Sequence, residues 1–100
     1  MPDRIYTRHE IAGAVLPLLK KYRAEKAILF GSYARQDADA ASDIDLVIIG
    51  GIHFDPTDIF CIAEELHRML GKKVDVFELQ EINAGSPFYH AILEEGVQIA

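Results

Sequence analysis

The chain has no tryptophan, a single cysteine and only ten lysines and arginines among its 100 residues. One cysteine, Cys61, excludes a disulfide within the chain. Its place in an apolar, helix-like run predicts a small buried side chain rather than a reactive thiol. The basic residues are outnumbered by sixteen acids, for a formal net charge of −6. Proteins that grip nucleic acid non-specifically present a basic patch. Here the adjacent lysines are confined to Lys20–Lys21 and Lys72–Lys73, so nucleic acid is not expected as the main partner. The second pair reads as a solvated helix exit. No apolar run approaches the roughly twenty residues of a membrane span. Residues 1–10 are polar, so no secretory leader is expected and the cytoplasm is the expected location.

What remains is an ordinary globular balance, half hydrophobic and a quarter charged. It predicts one domain over residues 1–100. Thr7 and Glu10 form a capping-box pattern, with Tyr6 and Ile11 at the staple positions. Ile11, Ala14, Val15, Leu18, Leu19 and Tyr22 follow at helical spacing, predicting a helix from 8 to about 22, kinked at Pro17. Residues 26–30 read as a strand ending at Gly31, and the turn after it as the start of a short helix. Residues 42–49 read as a second strand. Asp55 and Pro56 read as N-cap and first residue of a helix whose apolar face is Ile59, Ile62, Ala63, Leu66, Met69 and Leu70, stopped by Gly71. A third strand over 73–79, a last helix over 87–95 and an edge strand over 97–100 complete the order. The pattern predicts an α/β arrangement, a layer of helices on a small sheet.

The chemistry gathers on acids and a Gly-Ser turn. Asp43 and Asp45 are two apart on a strand and so face one side, while Ile44, Leu46 and Ile48 face the core. Asp75 stands between Val74 and Val76 and faces away from the core in the same way. If the two strands are neighbours, three carboxylates converge. Like charges held that close call for a proton or a metal ion. Hard carboxylate oxygens favour Mg²⁺ or Mn²⁺, with water and phosphate completing the shell. Gly31 and Ser32 open a helix where backbone amides can face a phosphate, and Arg35 can bind phosphate or pair with an acid. Together these parts suit phosphoryl transfer. Taken singly, each has a plain structural reading: a turn, a cap, a solvent-facing acid.

The run GSYARQDADAASDIDL, Gly31 to Leu46, resembles the motif of the nucleotidyltransferase superfamily that includes DNA polymerase beta. Within it the chain is similar to the minimal nucleotidyltransferases, the MNT proteins, often paired with HEPN-domain toxins. The resemblance implies a small mixed β-sheet with helices packed on one side. It implies transfer of a nucleoside monophosphate, AMP from ATP, to a protein hydroxyl such as a HEPN tyrosine, with the MNT protein acting as antitoxin. It also assigns Gly31 and Ser32 to the nucleotide phosphates, and Asp43, Asp45 and Asp75 to two Mg²⁺ ions, with Asp75 as base; Arg35 is read from the residues as a further phosphate contact. Two departures stand out. Gln36 occupies a position where many relatives have glycine, and Ser86–His90 lacks an arginine expected nearby.

Outside the motif, His9, His53, His67 and His90 share no metal-ligand spacing and are read as surface residues. Phe88 and Tyr89 are read as packing residues, and Tyr33 as either core or a flank for the nucleotide base. Two other functions stay open: an antitoxin that neutralises its partner by contact alone, and a transferase acting on a small hydroxylated acceptor. Self-association is also open.

Overall fold

The computed structural model describes residues 4–100; the part of the leader expectation that rests on residues 1–3 lies outside them. Helix α1 spans Arg8–Tyr22, with the reciprocal Thr7–Glu10 capping box in place. Pro17 lies inside α1 without ending it. Strand β1 (Lys26–Phe30) leads through Gly31 into the one-turn helix α2 (Ser32–Arg35), and strand β2 spans Ile44–Ile49. Helix α3 (Asp58–Leu70), strand β3 (Val74–Glu78), helix α4 (Pro87–Glu95) and strand β4 (Val97–Gln98) follow.

The four strands form one mixed sheet in the order β3-β2-β1-β4. β1 is antiparallel to β2 and β4, whereas β2 and β3 are parallel. Alternation decides the two faces. Ala27, Leu29, Ile44, Leu46, Ile48 and Val74 belong to the core. They are covered by Ile11, Val15, Leu18 and Leu19 of α1 and by Ile62, Leu66 and Leu70 of α3. This is the expected layer of helices on a small sheet. Lys21 and Tyr22 of α1 both donate to the Glu65 carboxylate of α3 and tie the two helices together. The opposite face carries Phe30, Asp45, Val47, Asp75 and Phe77. At its end, Phe88 of α4 packs edge-on against Phe30 and Phe77, with ring centroids 5.4 and 5.3 Å apart.

Several expectations are corrected. Asp55 does not cap α3. Its carboxylate accepts from the backbone and hydroxyl of Thr57, at 3.0 and 2.8 Å, closing a side-chain turn before the helix begins at Asp58. Cys61 is exposed, and so is Met69. Each stands one residue, about 100° of rotation, from the buried stripe Ile62–Leu66–Leu70. The second strand begins at Ile44 rather than at residue 42, because Asp39 and Ser42 close their own turn. Residues 79–81 leave the third strand as a 3₁₀ turn. Lys72 is buried rather than solvated.

Gln36 follows α2 with φ 64°, in the left-handed region. Only glycine takes that region without steric cost. Gln36→Gly is therefore expected to stabilise the protein by about 0.5–1 kcal/mol, net of the entropy glycine adds to the unfolded chain. A rise of a few degrees in Tm by calorimetry would show it.

Candidate active site

The turn after β1 is built on Gly31, whose φ is 73°. A Cβ there would stand 2.6 Å from Oδ2 of Asp45. Both the dihedral and the close approach thus demand glycine. They also show that the Gly-Ser turn and the Asp45 carboxylate abut. Ser32 begins α2, and Tyr33 and Ala34 are buried beneath it. Of the two readings for Tyr33, core packing is the one the structure takes.

Asp45 pairs in register with Asp75 across the parallel β2–β3 ladder. Asp43 lies one residue ahead of β2. The condition that the sequence leaves open, adjacency of the two strands, is met, and the three acids meet at one edge of the open face. Burial, followed by the charges of Asp75 and Asp43, pushes the Asp45 carboxyl up to about 6. A protonated Asp45 donates to Asp75, which strengthens the same shift. Among the described residues, no three His, Cys, Asp or Glu side chains are grouped so that together they could hold a metal ion. The donor set instead fits an open Mg²⁺ site, which takes one or two carboxylates and keeps water and phosphate as its other ligands. Burial is the first cause of the Asp45 rise, and the two neighbouring carboxylates add to it against the opposing charge of Lys73.

One cation reaches these acids. Lys73 Nζ lies 3.9 Å from Oδ2 of Asp43 and 3.8 Å from Oδ1 of Asp75. Its neighbour Lys72 turns the other way. Its ammonium donates to the Arg4 carbonyl, the Tyr33 hydroxyl and the Ala40 carbonyl at 3.0–3.2 Å. Arg8 donates to the Ala34 carbonyl. Lys72 and Arg8 therefore hold α2 and the loop before Asp43 from beneath. From the sequence Arg8 has no assigned role and the two lysines read only as a solvated helix exit, yet for the lysines strand alternation carries the signal. Extending it two residues upstream of Val74 puts Lys72 with the core residues and Lys73 beside Asp75. Arg35, expected to bind phosphate or pair with an acid, pairs with Asp37 at 3.3 Å and with Glu95 of α4 at 3.6 Å. The four histidines are exposed, as expected.

Residues 14–100 match the family model described as polymerase beta, nucleotidyltransferase. The chain belongs to the polymerase beta nucleotidyltransferase family. It is 36% identical over 75 residues to a candidate protein adenylyltransferase of Methanocaldococcus jannaschii, a match covering 75% of this chain and 81% of that protein. Two solved structures share its fold. One is a toxin–antitoxin complex with AMP-PNP, with a TM-score of 0.76 at 22% identity, covering 89% of this chain and 72% of that one. The other contains a tri-AMPylated Shewanella oneidensis HEPN toxin with its MNT antitoxin, with a TM-score of 0.71 at 20% identity, covering 94% and 72%. The protein is thus a nucleotidyltransferase. Among its described residues no helix is long and apolar enough to cross a membrane.

The Asp45 shift in this nucleotidyltransferase has a consequence for stability. With the folded value near 6 and the ordinary value at 3.8, the folded protein holds the extra proton between them. Its contribution to stability is present below about pH 4 and is lost as pH rises through 6. Water screens the half-exposed carboxyl, so the loss is on the order of 1 kcal/mol. In metal-free buffer, Asp45→Asn should remove this loss and melt higher than wild type above pH 6, with the difference vanishing near pH 4. Thermal melts across that range check it.

Proposed function

We propose that this nucleotidyltransferase transfers AMP from ATP to a hydroxyl of a partner protein, a tyrosine of a HEPN toxin, and so acts as its antitoxin. The observation that carries this is the contact of Asp45 with Gly31 while Asp45 stands in register with Asp75. A phosphate turn and a pair of acids meet at one point, which is what attack on a nucleotide phosphate needs. The named adenylyltransferase relative supports AMP as the group transferred, and the AMPylated HEPN complex supports the acceptor.

In this reading Gly31 and Ser32 bind the triphosphate through backbone amides and the Ser32 hydroxyl. Arg35, on the same turn of helix, would leave its exposed pairs with Asp37 and Glu95 to add charge towards the phosphates. Asp43, Asp45 and Asp75 would hold the divalent ions, Mg²⁺ or Mn²⁺. A metal bound there would neutralise phosphate oxygens and acidify the attacking hydroxyl. Asp75 accepts the proton of the acceptor hydroxyl as its oxygen bonds to the α-phosphorus and the bond to pyrophosphate breaks. Phe30, Phe77 and Phe88 wall the same face with apolar surface, which keeps water from competing as acceptor. The acceptor side belongs to the partner.

Incubation with Mg²⁺, α-labelled ATP and a HEPN protein encoded beside this chain should label the partner. Asp43→Ala/Asp45→Ala should cut labelling by roughly a hundredfold or more. Equal labelling by the double variant would refute the assignment. Neutralisation of the toxin that survives in this variant would instead point to an antitoxin acting by contact alone. Labelling of a small hydroxylated acceptor, with the HEPN protein left unlabelled, would point to the small-molecule transferase.

A further inference from the structure

Lys73 differs from every other cation near the site. Among the described residues it is the one basic side chain paired with Asp43 and Asp75, whereas Arg35 is engaged with Asp37 and Glu95. Its two contacts, 3.9 and 3.8 Å, are longer than a direct ammonium–carboxylate hydrogen bond of about 2.8 Å. The ammonium therefore stands between the two acids without locking onto either. The side chain is 66% exposed, so it can leave for water without breaking any packing. Its backbone, by contrast, is fixed. The Lys73 carbonyl accepts from the Ile44 amide at 3.1 Å, which joins the start of β3 to the start of β2. A flexible stem thus swings from a fixed pivot, above the two acids that belong to the proposed metal set.

We propose that Lys73 is a tethered counter-ion that a divalent cation must displace from Asp43 and Asp75, so that this lysine sets the metal affinity of the site. The inference rests on the metal reading given under Proposed function. Without metal, the ammonium partly neutralises acids that would otherwise repel one another. When a divalent ion arrives, the same carboxylate oxygens turn to the higher charge and the ammonium is expelled. Lys72 cannot substitute for it, because its three donors are committed to Arg4, Tyr33 and Ala40. Exposed ion pairs of this kind hold only weakly. The ammonium therefore tunes affinity without blocking the site. Its removal is expected to tighten metal binding about fivefold, close to 1 kcal/mol.

The test is Mn²⁺ binding to the full chain without nucleotide at low salt, followed by loss of the free aqua-ion resonance in electron paramagnetic resonance. Lys73→Met and Lys73→Gln should each bind Mn²⁺ about fivefold tighter than wild type. Lys73→Arg, which keeps the charge, should stay near wild type, and Asp43→Asn should bind more weakly. The gap between Lys73→Met and wild type should narrow as salt screens the ammonium. If wild type binds Mn²⁺ and Asp43→Asn weakens it, yet Lys73→Met binds no tighter, the displacement idea is overturned and the metal site stands. If no form binds Mn²⁺, wild type included, the metal site and the displacement fall together.

Discussion

The parallel pairing of β2 with β3, which sets Asp45 opposite Asp75, is the constraint from which the site follows. Two acids side by side repel, so this register is not chosen by the acids. It is chosen by their neighbours. Ile44, Leu46 and Ile48 are fully buried on the other face of β2. A slip of one residue would turn all three towards water and drive Asp45 into the core. Each buried isoleucine or leucine is worth about 1.5–3 kcal/mol, far more than the repulsion of two half-exposed carboxylates. The hydrophobic face fixes the register and the carboxylates are carried with it. Their mutual strain is then available for a cation to relieve.

The second requirement is that the phosphate turn meet those acids at the right place. α2 has only four residues, too few to hold itself. It is positioned from outside. Gly31 presses against Asp45, Arg8 reaches the Ala34 carbonyl, and Lys72 joins the Tyr33 hydroxyl to the loop ahead of Asp43. The capping box of α1 starts the helix that carries Arg8 at its first residue. A local capping signal is in this way connected to the geometry of the turn. The buried ammonium of Lys72 is tolerated because all three of its donors find oxygen. Its burial joins three segments distant in sequence.

Much of this was legible beforehand, unevenly. α1 has the bounds read from capping and periodicity, and α4 the bounds 87–95 read for the last helix; both carry a side-chain cap whose partner lies three residues on. Asp55 carried the same kind of signal, but its carboxylate bonds to Thr57 and closes a turn instead. Cys61 and Met69 were placed inside on hydrophobicity, whereas a small domain has only one buried stripe on α3 for them to miss. Charge predicts Lys72 and Lys73 both solvent-facing, which holds for the exposed Lys73 but not for Lys72, which alternation sends to the core face. The error lay in letting charge outweigh period.

The sequence by itself determined the elements, the motif from Gly31 to Leu46, the family, and the outward face of Asp45 and Asp75. These depend on spacing of two or about 3.6 residues and on local caps, which the chain carries wherever it goes. Only the tertiary structure decided that β3 lies beside β2 in the register that pairs Asp45 with Asp75, that Gly31 touches Asp45, and that Lys73 stands over the acids while Lys72 is sealed below them. Those facts depend on which surfaces bury each other. That is a property of the whole core, in which residues thirty or more positions apart become neighbours.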